Sequence, residues 1–182
     1  MRTRGGAPPL SMTQLRMPRR PDNPDDKKPK RSAYDKALGL LARREHSRRE
    51  LGLKLRQGGY EGDEAGAALD RLGEQSYQDD DRFAKVLVRS RVGQGYGPQR
   101  LRAELKSHGL SDARIRECLE QADVDWNASA ASQLHRRYGT KPPADPSERA
   151  KRAQFLLRRG FSAATVRSVT HAEVDDAADG DD

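Results

Sequence analysis

Apolar residues along this chain recur at helical rather than strand spacing. Tyr34, Ala37, Leu38 and Leu41 fall at i, i+3, i+4 and i+7, and Ala65, Ala68, Leu69 and Leu72 repeat that spacing. Phe83, Ala84, Leu87 and Val88 approximate it, as do Ile115, Cys118, Leu119 and Ala122. Such a set lines one face of a helix, whereas a half-buried strand alternates, and no stretch of six residues does so. Boundary chemistry agrees with the spacing. Ser47 with Glu50 three residues on predicts a capping box, and Gly58-Gly59 a stop. Pro98 suits a first helical position, where its missing N–H is not needed, and Gly109 closes the helix it opens. Asp145, Pro146 and Glu148 make a third start and Gly160 a third stop, so the pattern predicts an all-α chain.

These landmarks repeat. A shift of 50 residues puts Leu51 on Leu101, Leu55 on Leu105, Gly59 on Gly109, Tyr60 on Leu110, Ala65 on Ile115 and Leu69 on Leu119. A shift of 51 then puts Leu105 on Leu156, Gly109 on Gly160, Leu110 on Phe161 and Ile115 on Val166. Three copies follow, with expected bounds 32–78, 79–124 and 125–172. Each is expected to hold a long first helix, a second helix ending in glycine, an apolar residue and a third helix, capped by Ser111 or Ser162 in the later copies. The first helices align less well; in the last copy Ala131, Leu134 and Tyr138 around Trp126 are the expected apolar positions. Three short helices bury little by themselves, so the copies are expected to stack as three tandem three-helix repeats in an elongated curved array.

Composition changes this picture only at the ends. Leu, Ile, Val and Phe number 29 of 182 residues, near the level at which a charged chain stays unfolded, but 35 Lys and Arg against 28 Asp and Glu leave a net charge of only +7. Residues 1–31 hold six prolines, nine basic and three acidic residues, which reads as a disordered basic tail, and 173–182 hold six acidic and no basic residue, which reads as a disordered acidic one. The tails cancel, so the net positive charge belongs to the repeats. No apolar run is long enough to span a bilayer, a single cysteine allows no internal disulfide, and the N-terminal segment lacks the apolar stretch of a signal peptide. A soluble, cytoplasmic protein is expected.

Catalytic constellations are missing. His46, His108, His135 and His171 are scattered and have no zinc-ligand spacing, and Cys118 shares an apolar face with Ile115 and Leu119, as a core thiol does. The chain has neither a phosphate loop nor a nucleophile elbow. The run from Gly93 to Gly97 follows a helix rather than a strand, so its glycines are expected to aim Pro98 into the next helix. No enzymatic activity, cofactor or metal is expected. What remains is basic surface: Arg48, Arg49, Arg89, Arg91, Arg100, Arg102, Lys106, Arg114, Arg136, Arg137, Arg158 and Arg159 recur near helix ends and polar faces. Their guanidinium forks suit phosphates and carboxylates alike, although interleaved Glu50, Asp70, Glu104, Glu117 and Glu120 also fit a salt-bridged face. Tyr60, Phe83, Phe155 and Phe161 fall on apolar faces, leaving Tyr96 as the expected exposed ring.

The segment from Phe83 to Leu110, FAKVLVRSRVGQGYGPQRLRAELKSHGL, resembles the middle repeat of the bacterial RecX regulatory proteins, through Arg91, Gly97, Pro98, Arg100, Leu101, Glu104 and Leu105. ALGLLARREHSRRELGLKLRQGGY, from Ala37 to Tyr60, resembles the first repeat, and the third is recognised mainly from Arg152 to Phe161. The resemblance covers Ser32 to Thr170. It implies a monomeric, non-enzymatic modulator of the RecA recombinase in DNA repair and recombination. Such a protein would lie in the groove of the RecA filament on DNA and restrain ATPase, strand-exchange and co-protease activities. It would contact the RecA filament as protein and DNA through the basic surface, with no membrane partner. A helical pair joined by a glycine turn is also the outline of a helix-turn-helix, so a stand-alone DNA-binding regulator is the alternative.

Overall fold

The structure, a computed structural model, describes residues 31–171; apart from Arg31, the two expected charged tails lie outside the described residues. Among these residues it contains nine helices and no strand. α1 (Ala33–Leu41), α2 (Arg48–Gln57) and α3 (Gly62–Glu74) form one triplet. α4 (Asp80–Gly93), α5 (Pro98–Ser107) and α6 (Asp112–Gln121) form the second, and α7 (Trp126–Tyr138), α8 (Pro146–Arg158) and α9 (Ala163–Thr170) the third. Substantial helix packing stays inside each triplet, around a separate core. Leu51, Leu55 and Leu72 centre the first core, Leu101, Leu105 and Val88 the second, and Leu156, Phe161 and Val166 the third.

The second helices end alike because their sequences end alike. Gly59, Gly109 and Gly160 take φ of 76°, 91° and 81°, a left-handed conformation that a side chain would strain. The following Tyr60, Leu110 and Phe161 donate their N–H groups back to the carbonyls of Leu55, Leu105 and Leu156, and their side chains enter the core. A glycine-then-apolar pair is the chemistry of this helix stop.

Several local expectations need correction. Ser47 caps α2 by accepting the N–H of Glu50, but the Glu50 carboxylate turns to Arg44 and His46, so the capping box is half made. Ser111 and Ser162 cap α6 and α9, whereas Glu61, at the cap position before α3, makes no side-chain cap bond. α1 has nine residues against 14 in α4 and 13 in α7, so the first copy lacks the long first helix. On α7 the buried alanine is Ala130 rather than Ala131, a slip of one residue that brings Gln133 inside as well.

The third core departs from the other two at one equivalent position. Where they bury Leu51 and Leu101, it buries Arg152, only 7% exposed. Its guanidinium donates to the Lys141 carbonyl at 3.0 Å and to Glu148 at 2.6 Å, and lies 5.0 Å from the centre of the Tyr138 ring. A buried cation needs such partners, so the proline-rich segment after α7 is anchored by a charge.

Candidate functional site

The triplets meet through a device used twice: the N-terminus of one second helix abuts the glycine turn that ends the second helix of the next triplet. At the first seam Ser47, the buried cap of α2, lies 3.0 Å from Nδ1 of His108, and the His108 ring packs on Phe83 at 4.7 Å. Asp80 accepts the N–H of Arg48, placing a carboxylate at the positive end of α2, and Glu45 pairs with Arg82. At the second seam the contact is backbone to backbone. The N–H groups of Gly97 and Gln99 donate to the carbonyls of Arg159 and Gly160 at 2.8 and 3.0 Å. The N–H groups at the start of α5, which no carbonyl of their own helix can reach, thus meet the turn that closes α8. The Arg159 guanidinium completes the seam by donating to the carbonyls of Gln94 and Gly95. The glycine run is therefore a docking edge as well as a helix boundary.

Against this frame the twelve expected basic positions divide. Arg48 pairs with Asp70, Arg91 with Glu104, Lys106 with Asp112 and Arg114 with Asp81. Arg49, Arg89, Arg100, Arg102, Arg136, Arg137, Arg158 and Arg159 form no ion pair among the described residues. Of these eight, Arg100, Arg136, Arg137 and Arg159 gather at the second seam. Arg136, Arg137 and Arg159 line one open cleft of about 270 Å³ with Gln94, Gln133 and Phe155. The structure does not bring Arg89, Arg102 or Arg158 into that cleft. Tyr96 is a correction: it is half-buried under Arg100, whose guanidinium carbon lies 4.3 Å from the ring centre, and the exposed ring is Tyr77. Gln94, Gln133 and Phe155 were absent from the expected site; Gln133 alone carries a signal, as a polar residue three positions after the inward Ala130.

The arrangement offers positive charge, planar donors and carboxamides, but no nucleophile with an adjacent base. Among the described residues no group of His, Cys, Asp and Glu could hold a metal ion, and no helix is long and apolar enough to cross a membrane. Cys118 is buried, which pushes its thiol pKa up.

Arg91 has a structural role. It grips Glu104 through Nε and Nη2, tying α4 to α5, and this bonding holds the Glu104 carboxyl below its ordinary value of 4.5. A carboxyl depressed in the folded state stabilises the fold above its unfolded pKa and loses that contribution as pH falls through the folded one. Arg91→Ala is therefore expected to cost about 1–2 kcal/mol at pH 7. Urea melts of both proteins should converge as pH drops below 4.5; an equal gap at pH 3 and pH 7 would remove the pair as the cause.

The comparisons with known proteins follow the same triplets. Residues 33–72 match the first three-helix domain of RecX, 79–119 the second and 123–170 the third. The chain belongs to the RecX family. It is 47% identical over 141 residues to the regulatory protein RecX of Xanthomonas axonopodis pv. citri, covering 78% of this chain and 87% of that one. It is 48% identical over 142 residues to the regulatory protein RecX of Halorhodospira halophila, covering 78% and 88%. The fold is shared with the crystal structure of RecX from Lactobacillus salivarius, at a TM-score of 0.62, 23% identity and coverage of 76% of this chain and 92% of that one. In RecX terms the second seam joins the second domain, which holds Gly97, to the third, which holds Gly160.

Proposed function

We propose that this chain is a non-enzymatic regulator of the RecA recombinase that binds the RecA–DNA filament and restrains its ATPase, strand-exchange and co-protease activities. The observation that carries this reading is the run of three RecX domains, in order, along this chain, whose relatives are named regulatory proteins. The arginines without an ion pair at the second seam support it physically, because a filament on DNA presents phosphate and acidic side chains to whatever lies along it. A stand-alone helix-turn-helix regulator fits less well. Its reading helices would be the third helices of the triplets, and two of the three, α3 and α6, open with Asp63 and Glu64 and with Asp112, charges that repel DNA phosphates.

Titrating the protein into RecA on single-stranded DNA while following ATP hydrolysis and strand exchange tests the proposal. Inhibition is expected at or below one protein per RecA; unchanged rates at that ratio would reject it. Selective retention of one duplex sequence at moderate salt would favour the alternative.

A further inference from the structure

Five side chains form an alternating row of guanidinium and ring across the second seam. Arg100 lies 4.3 Å from the centre of Tyr96, and Arg159 lies 5.6 Å from the same ring. Arg159 also stands 5.0 Å from the centre of Phe155, and Arg137 4.6 Å from it. Three cations from α5, α7 and the turn after α8 thus share two rings, and none forms an ion pair among the described residues; the carboxylate of Glu104, already gripped by Arg91, reaches Arg100 only at longer range. Ring quadrupoles offset part of their mutual repulsion, and an anion placed along the row offsets more. Arg136, Gln94 and Gln133 add donors beside the row.

The row suits phosphate better than carboxylate, and backbone better than base. A lone carboxylate brings one charge to a row carrying three, whereas a nucleic-acid strand brings one every few ångströms. Stacking orients the planar forks, so their free edges can meet successive phosphates. Phe155 is buried and Tyr96 half-buried, with two guanidiniums against each ring, which leaves little ring face on which a base could stack. We propose that this row holds the phosphodiester backbone of a nucleic-acid strand without regard to base sequence. The proposal rests on the regulatory reading above, of which it is the DNA-contacting part.

The DNA titration contains no RecA, and binding to DNA-free RecA is read in a separate arm, so the row and the regulatory reading fail separately. The full-length protein is titrated into fluorescein-labelled single-stranded oligonucleotides of two sequences across a salt series, and anisotropy is read. Arg136→Ala/Arg137→Ala is expected to lose about tenfold in affinity for both sequences, with a salt dependence shallower by roughly 0.7 per lost phosphate contact. Lys36→Ala/Arg43→Ala, of equal charge and on the first triplet, is expected to change affinity less than about twofold. Equal losses in the two variants would reduce the row to bulk charge and overturn the proposal. Unchanged DNA affinity with weaker binding to DNA-free RecA would overturn it in favour of an acidic protein surface. Arg137→Lys keeps the charge but not the fork, and is expected to stay about threefold weak; full recovery would refute the planar role. Arg136 and Arg137 are exposed, so helical circular dichroism should not change. If the double variant does not fold, Arg100→Gln reads the same salt slope from the other end of the row.

Discussion

Leu105→Asp is expected to unfold the middle triplet. Leu105 is fully buried, and its neighbours in the core are Ala84, Val88, Leu101, Leu110 and Ile115, none of which can pair with a carboxylate. The substitution removes apolar contacts and leaves a charge that must protonate or reach water, a combination that costs at least about 4 kcal/mol. Because each triplet has its own core, the loss should be regional. Roughly a third of the helical signal should vanish, and amides of α4 to α6 should exchange freely while those of α1 to α3 stay protected. A melt that matches the parent protein would show that Leu105 is misplaced in the core.

That residue was legible in the sequence because its role is periodic. Leu55, Leu105 and Leu156 sit at one helical phase, each four residues before a left-handed glycine, and the structure buries all three. Caps such as Ser111 and Ser162 were legible for the same reason, since the hydroxyl acts on an N–H three residues away. Features set by partners distant in sequence were not. Arg152 has a polar letter at a core phase, and only the Lys141 carbonyl, Glu148 and Tyr138 make its burial tolerable. Tyr96 looks exposed beside two glycines until Arg100 and Arg159 close over it.

The basic surface shows the same division. Composition located the arginines but not their company, and whether one is neutralised depends on where a carboxylate from another helix points. Arg114 reaches Asp81 on α4 and Arg91 reaches Glu104 on α5, so both serve the fold. Arg137, on α7, and Arg159, in the turn after α8, reach only rings, carbonyls and the open cleft.

Gly97→Ala is expected to open the second seam while leaving the triplets on either side folded. The reason is space and not backbone freedom, because Gly97 has φ of −86°, which alanine adopts readily. A methyl group there would lie 2.3 Å from both the Gly160 carbonyl oxygen and the Phe161 nitrogen. Those atoms are backbone and cannot swing aside. Contrast Gly52, where the nearest atoms are the tips of Arg56 and Leu69 side chains at 3.6 Å. Opening the seam breaks the bonds from Gly97 and Gln99 to the facing turn and pulls Arg159 from the Gln94 and Gly95 carbonyls. At about 1 kcal/mol net for each bond, the loss of coupling is roughly 3–4 kcal/mol. Helical circular dichroism at low temperature should be unchanged. The thermal transition should broaden or split as the second and third triplets cease to melt together, and the Gln99 amide should exchange faster. Because Arg100 and Tyr96 stand on one side of this seam and Phe155 and Arg137 on the other, opening it also breaks the guanidinium row. Under the proposed function, inhibition of RecA should therefore weaken by about tenfold or more in a protein that is still fully helical, a loss that Leu105→Asp cannot produce without unfolding. A single sharp transition together with a slow Gln99 amide would show that the facing turn yields to the methyl group and that the seam is not the rigid joint described here.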